Sequence, residues 1–537
     1  MRLNGSVAAP DAPSPSLAPG RIGSGSAAFF GVAAAVPIAT LVTLVPPAFA
    51  GGAGPLLPLS VVAVTLVAFL FSTPYARSTR KRQTAAPAYT YVSRGLGRPA
   101  GLSAAWLALA GYHAIQFGLY AMLAPAAAPL LRSLFGIAVP WWAVAGTAWL
   151  LVTLLGPIRA EITAGLIALL ATAQGSVLAM YAVSNVLRPA DGHVTPASIL
   201  PGDLGALDRP LLGLLLAAAA LAFAGFETAA CYTEEAFYPH RAGGRGTVGA
   251  VLLIALLLGG LSWSMIVAAG PSRIDAAATA NGSDLLFALS AERLVPWAVT
   301  LGRLMLVAGL FTGILALHHA ITRYLYALGR ERILPGVLEA TGRRTGAPRA
   351  ASLTQSLIAG AALLGAYAAG ATTEPHTARW LVLGGALGIL LTQLLISLAT
   401  VLDIHRGGGI LAPALATVSL AVLAYLAFVN LPALLDVRPG AALTRVLPAA
   451  ILACALIGVV QALLLRTLHP VRYAAIALAG TAVVVTPRST PHALPSPTTH
   501  AEPRPTAEPF RIPRQRTPGA HRPDRIDHPD RVDREAG

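Results

Sequence analysis

Charge is scarce in this chain. Only 11% of its 537 residues are Asp, Glu, Lys or Arg, against 55% hydrophobic residues, and Lys81 is the sole lysine. A water-exposed globule of this length carries about twice that charged fraction, so a soluble fold is excluded. The two cysteines, Cys231 and Cys454, sit far apart within apolar runs, which argues against a disulfide framework and for two small buried hydrophobes. No His-Glu-x-x-His pair, Gly-x-Ser-x-Gly elbow, phosphate loop or cysteine pair at metal spacing occurs. His318 and His319 are adjacent, hence about 100° apart on a helix, and cannot both face one metal. The sequence therefore predicts no catalytic site, no metal and no cofactor.

What is present is a succession of apolar runs, each near the length needed to cross roughly 30 Å of hydrocarbon, with a mean hydropathy of +0.67. We place twelve spans, at Ala27–Ala50, Leu57–Tyr75, Leu102–Leu131, Trp141–Leu155, Ile162–Val186, Pro210–Thr233, Thr247–Ala269, Val295–Leu328, Ala350–Ala369, Trp380–Leu402, Ile410–Asn430 and Val446–Leu465. Residues 27–466 thus form a twelve-helix, all-α integral membrane domain. Residues 1–26, rich in Pro, Gly, Ser and Ala, are expected to be a disordered cytoplasmic lead without a signal peptide. In residues 467–537 an interfacial segment, Ala474–Val485, is followed by a disordered cytoplasmic tail rich in Pro and Arg.

A net charge of +15 would suggest nucleic acid in a soluble protein, but the cations lie in short inter-span loops and the tail without interleaved aromatics, so no nucleic acid is expected. Arg77, Arg80, Lys81, Arg82, Arg94 and Arg98 share one side with Arg241, Arg245, Arg330, Arg332, Arg343, Arg344 and Arg349. Asp191, Asp203, Asp208, Asp275, Asp284 and Asp436 fall on the other. This bias predicts a multi-pass plasma-membrane protein with both termini cytoplasmic, Arg323, Arg330 and Arg332 near the cytoplasmic end acting as topology anchors, and the run Arg77 to Arg82 as a positive-inside determinant that also meets membrane lipids.

Two spans are interrupted. Pro37 lies in the middle of the first, after Ala34, Ala35 and Val36, and removes a backbone donor. Gly225 lies in the sixth beside Glu227, although a charged side chain at bilayer depth costs at least about 2.5–3.5 kcal/mol. Interrupted spans at corresponding places in two halves point to an inverted-repeat transporter with its site near the midplane. There, half-helix N-termini suit a carboxylate and C-termini suit an ammonium, so a zwitterionic amino acid satisfies both.

Three stretches resemble the amino acid-polyamine-organocation (APC) superfamily of permeases, particularly its actinobacterial-type members. They are Ala85–Arg98, the Phe223-Ala224-Gly225-Phe226-Glu227 break with Glu234-Glu235, and His318–Glu331 ending at Leu334-Pro335. The resemblance covers roughly Ala27 to Tyr473. It implies a LeuT-type five-plus-five inverted repeat plus two helices, and secondary active transport of amino acids or related amines.

Carried onto this chain, it places substrate-binding residues at Ala34, Ala35, Val36 and Pro37 and at Ala224, Gly225 and Phe226, with Phe226 as a gate. The first break departs from the glycine-rich pattern of many members. Span five offers Thr172, Gln174 and Ser176 where proton-coupled members often have lysine, so the coupling ion, proton or sodium, stays open. Tyr112, Gln116 and Tyr120 share a helix face, and Tyr112 and Gln116 are candidate binding residues beside His113. Glu227, His318 and His319 are candidate coupling or pH-sensitive groups. The substrate expected is a small molecule, an amino acid, with neutral amino acids preferred. The alternatives are a polyamine transporter and a degenerate, non-transporting permease-like protein or receptor.

Overall fold

A computed structural model describes residues 17–201, 208–342, 344–371, 375–403 and 409–478. Among these residues every regular element is helical; the only β pairing is an isolated parallel bridge between Ile22 and Ala236. The first apolar run is three pieces, α1 Ser24–Ala35, α2 Pro37–Thr43 and α3 Val45–Ala50. Then follow α4 Leu56–Lys81, the short α5 Pro87–Gly95, α6 Arg98–Phe135, α7 Trp141–Leu155 and α8 Ala160–Leu187. The sixth run is α9 Arg209–Ala222 continued by a 3₁₀ limb, Phe226–Glu235. The seventh is α10 Pro239–Ala255, a π turn at Leu256–Gly260 and α11 Leu261–Ala269. The short α12 Ile274–Asn281 and α13 Leu285–Ala291 lead into α14 Pro296–Arg330. The chain ends with α15 Arg349–Ala368, α16 Pro375–Leu402, α17 Leu411–Val429, α18 Leu431–Leu435, α19 Leu443–Leu468 and α20 Pro470–Ala475.

Eleven of the described helical runs are long and apolar enough to cross a membrane. The fourth expected span, α7, has 15 residues. At about 1.5 Å per residue it falls short of a full hydrocarbon core. Burial sorts the helices into centre and rim: 78% of the apolar window of α14 is buried against 11% of that of α19. The leucines and valines that α17 and α19 leave exposed, such as Val418, Val422, Leu452 and Leu456, form an apolar outer surface suited to lipid.

The lead segment corrects one expectation. Its residues 1–16 lie outside the described residues, but Leu17 and Ile22 are buried, and Arg21 and Ile22 donate their amides to the Glu235 carbonyl at 2.7 and 3.0 Å. The backbone at Arg21 and Ile22 therefore covers the end of the 3₁₀ limb. The expected interfacial segment is described only to Leu478, and there it turns inward, with Ile476 and Ala477 buried. The rest of the tail lies outside the described residues.

Arg323 is a second correction. Read from its position near a helix end as a topology anchor, it is instead 1% exposed. Its Nε donates to Glu235 Oε2 at 2.8 Å, Nη1 donates to the His319 carbonyl at 3.1 Å, and the guanidinium lies 4.1 Å from the Tyr232 ring centroid. Beside it Arg330 makes a fork to both oxygens of Glu234, at 2.9 and 3.0 Å, and Glu234 also accepts the Ala85 amide at 3.0 Å. Two adjacent acids at the end of the limb thus clamp it to α14 at the arginine-rich end of the bundle.

Arg323→Ala leaves the Glu235 carboxylate buried without its counter-charge and is expected to cost roughly 3–5 kcal/mol, read as a lower unfolding temperature of the purified protein in detergent. Arg323→Met combined with Glu235→Leu removes both charges and should recover most of that loss. Equal destabilisation by the single and the double variant would contradict the pairing.

Candidate functional site

The first break follows from proline chemistry. Pro37 has no N–H to return to Ala33, and the Val36 amide turns back to Val32 O and Ala33 O at 3.1 and 3.3 Å. This drives Val36 to φ 46° and ψ 60°, a conformation rare for a β-branched residue and one that persists only where the surroundings over-determine it. Pro37 then opens α2 at its first position, where its fixed φ fits. Val36 is held by a notch in α14: a Cβ on Gly313 would stand 2.4 Å from Val36 Cγ2 and 3.1 Å from Ala33 O.

The second break is tightened and then reversed. The amides of Phe223 and Ala224 reach back only three residues, to Ala220 and Leu221. Gly225 then takes φ 115°, and a Cβ there would sit 2.8 Å from the Ala34 carbonyl carbon and 2.9 Å from the Ala35 amide nitrogen. The two breaks therefore meet backbone on backbone, with α1 and α9 ending at the same place.

Glu227 closes the second break from behind. Its Oε2 accepts the Gly225 amide at 3.1 Å and Gln393 Nε2 at 2.8 Å, while Oε1 accepts the Tyr112 hydroxyl at 2.8 Å. Tyr75 donates to the Glu227 carbonyl at 3.2 Å. All these donors are neutral, and they come from α4, α6, α16 and the break itself. Glu227 is thus the knot where three helices are tied to the unwound segment, and its carboxyl group lies near the positive end of the 3₁₀ limb.

In front of the breaks lies a cavity of about 690 Å³. Ala34, Ala35, Val36 and Ala224 form part of its lining, with Leu221, Ala222, Leu306 and Leu310. It runs past Thr40, Thr43 and α12 toward the end of the bundle away from the Glu–Arg clamps. Its mouth carries two ion pairs, Arg303–Asp284 at 2.7 Å and Arg379–Asp436 at 3.5 Å. The C-terminal ends of α1 and α9 both point at its floor and favour positive charge there. The side chains around them are apolar.

Among the expected site residues the structure brings Ala34, Ala35, Val36 and Ala224 together on the cavity wall, with Pro37 and Gly225 shaping the breaks behind it. Phe226 is 1% exposed and turns edge-on to Phe71, with ring centroids 5.7 Å apart. Tyr112 is taken up by Glu227. Gln116 donates to the Ile314 carbonyl at 3.0 Å and accepts from Gln355 at 2.7 Å, and His113 bonds the same Gln355 at 2.8 Å. His318 pairs with Ser352 Oγ at 2.9 Å, while His319 packs edge-on to Phe30 at 5.8 Å and its Nε2 has no hydrogen-bond partner among the described residues. None of Phe226, Tyr112, Gln116, His113, His318 and His319 lines the cavity.

Span three shows what sequence reasoning missed. The polar face Tyr112–Gln116–Tyr120 drew attention, but the cavity is lined by the neighbouring face, Ile115, Leu119, Met122 and Ala126, about 100° away around the helix. These residues recur at helical spacing, so the stripe was visible, but nothing in an apolar stripe distinguishes a cavity wall from core. Gln393, a partner of Glu227, carried no motif.

Residues 24–460 match the family model described as amino acid permease. Uncharacterized transporters of Mycobacterium tuberculosis and Mycobacterium bovis are 27% identical to the chain over 350 residues, 64% of this chain and 73% of each relative. A branched-chain amino acid permease of Lactococcus lactis subsp. cremoris is 29% identical over 301 residues, 53% of this chain and 63% of its own length.

Because even one methyl group at Gly225 meets backbone, Gly225→Ala is expected to lower solute uptake by at least about tenfold, a strain of order 1–3 kcal/mol, and Gly225→Leu to abolish it. Uptake into proteoliposomes, normalised to inserted protein, measures this. Normal uptake by a well-inserted Gly225→Leu protein would remove the glycine from the site.

Proposed function

The chain belongs to the amino acid permease family, and from that premise we propose that it is a secondary active transporter of neutral amino acids. The observation that carries this reading is the cavity whose floor is the meeting of two broken helices. Membership of the family makes the chain a multi-pass membrane transporter; the substrate and the mechanism are our inference. The two breaks, five spans apart, support a LeuT-type five-plus-five repeat with two further helices, the short α7 counting as one of twelve crossings. The arginine-rich loops support cytoplasmic termini in the plasma membrane.

The substrate class follows from the lining. Carbonyl ends of α1 and α9 suit one ammonium group. Among the described residues the only acidic side chain on the cavity wall, Asp284, is held by Arg303 at the mouth. A polyamine would bring several charges into a wall of Ala, Val, Leu and Ile with too few counter-charges, whereas the side chain of a neutral aliphatic amino acid fits it. The relative from Lactococcus, a branched-chain amino acid permease by name, agrees with that preference. One observation favours a second reading: Glu227 already occupies the Gly225 amide that a substrate carboxylate would seek, which suits an amine without a carboxylate.

Competition separates the two. In proteoliposomes, unlabelled valine, leucine and isoleucine should displace a labelled neutral amino acid at concentrations at least about tenfold below putrescine or spermidine, the equivalent of roughly 1.4 kcal/mol. A panel in which the polyamines win reverses the assignment, and absence of any uptake under imposed proton and sodium gradients supports a non-transporting relative.

Glu227 is proposed as the pH-sensitive element, because a change in its protonation alters the hydrogen bonding of the unwound segment directly. Glu227→Gln reproduces the protonated shape: its amide can donate to Tyr112 Oη while its oxygen keeps Gly225 and Gln393. We expect a folded protein whose uptake no longer varies across the pH range over which the native protein varies. An unchanged pH profile would leave Glu227 a structural knot only.

A further inference from the structure

The family match stops at residue 460, but the chain continues into a built contact at the clamped end of the bundle. After α20 the Ala477 amide donates to Glu331 Oε2 at 2.8 Å and to the Tyr89 hydroxyl at 2.9 Å. Tyr89 itself donates to the same Glu331 carboxylate. Arg98 Nη2 donates to the Ala474 carbonyl at 3.0 Å, and its guanidinium lies 4.9 Å from the Tyr473 ring centroid. Ile476 and Ala477 are each 3% exposed. Ala477 has φ 63°, which costs a residue with a Cβ about 1–2 kcal/mol, so the contacts around it fix its backbone.

Three separate elements build this notch: Tyr89 from α5, Arg98 from the start of α6, and Glu331 just beyond α14. Glu331 directly follows Arg330, whose fork to Glu234 clamps the 3₁₀ limb. The strap around Ala477 is therefore hydrogen-bonded to the residue next to the clamp. We propose that the Tyr89–Arg98–Glu331 notch is a docking site for a short apolar peptide, that residues 473–478 are its built-in occupant, and that this strap holds the clamped end shut. Burial and the neighbouring Glu331 charge push the Tyr89 hydroxyl well up, so it remains a donor to Glu331 at neutral pH.

The thiol of Cys231, buried in the limb at the clamped end, reports opening. With Cys454→Ala as background, maleimide labelling of Cys231 in detergent micelles compares the intact chain with one ending at Leu468. The shortened protein should label about tenfold faster, the scale of one lost hydrogen bond to a charged group, and a synthetic peptide of residues 469–478 should restore slow labelling. Equal rates for the two proteins overturn the proposal, as does faster labelling that the peptide does not reverse. Should the shortened protein fail to insert, Glu331→Gln in the intact chain decides: faster labelling supports the strap, an unchanged rate overturns it. The assay contains no substrate, so its outcome is independent of whether the transport reading holds.

Discussion

The contact of Gly225 with the backbone of Ala34 and Ala35 sets the terms for the rest of the molecule. Two helices can cross at this distance only where one lacks a Cβ, and only where both have stopped being regular. Pro37 and the left-handed Val36 supply the interruption in the first run. Gly225 supplies both the interruption and the clearance in the second. Everything around the crossing keeps it in place: Gly313 leaves room for Val36, Glu227 takes up the freed amide, and α6, α14 and α16 enclose it. The cavity exists because these backbones cannot be sheathed by their own side chains.

The treatment of charge differs between the crossing and the clamped end. At the crossing a single carboxylate is held by neutral donors, so its hydrogen-bond network can reverse without separating ions. Toward the arginine-rich end, Glu234 and Glu235 are matched by Arg330 and Arg323 in direct contact, and separating them means exposing four charges. The bundle thus carries a soft polar knot at its middle and a hard ionic one at one end. The open cavity lies on the other side, where the ion pairs are partly solvated and correspondingly weak.

Much of this was legible in the sequence. The apolar runs gave the helices, Pro37 and Gly225 gave the breaks, and the Phe223–Glu227 stretch with its paired acids gave the family. What escaped was orientation around each helix and pairing between distant residues. Tyr112 and Gln116 looked like pathway residues because they are polar in an apolar span, yet a polar side chain in a bundle finds a partner on whichever helix is nearest, here Glu227 and Gln355. Arg323 looked like an anchor because it lies near a helix end, but its partner Glu235 is 88 positions away and no local pattern announces such a pair. The burial of Leu17, Ile22, Ile476 and Ala477 depends likewise on surfaces assembled from remote segments.

The limb from Phe226 to Glu235 has a mechanical consequence. Runs of 3₁₀ helix beyond three or four residues are uncommon, and this one has ten. At about 2.0 Å of rise per residue instead of about 1.5 Å, it is about 5 Å longer than an α-helix of the same residues. Rewinding it would draw its acidic tip toward Gly225 by nearly one helical pitch with no change of chain length. The limb is therefore a stretched element, and its hydrogen-bond register helps set how far the clamped end stands from the crossing.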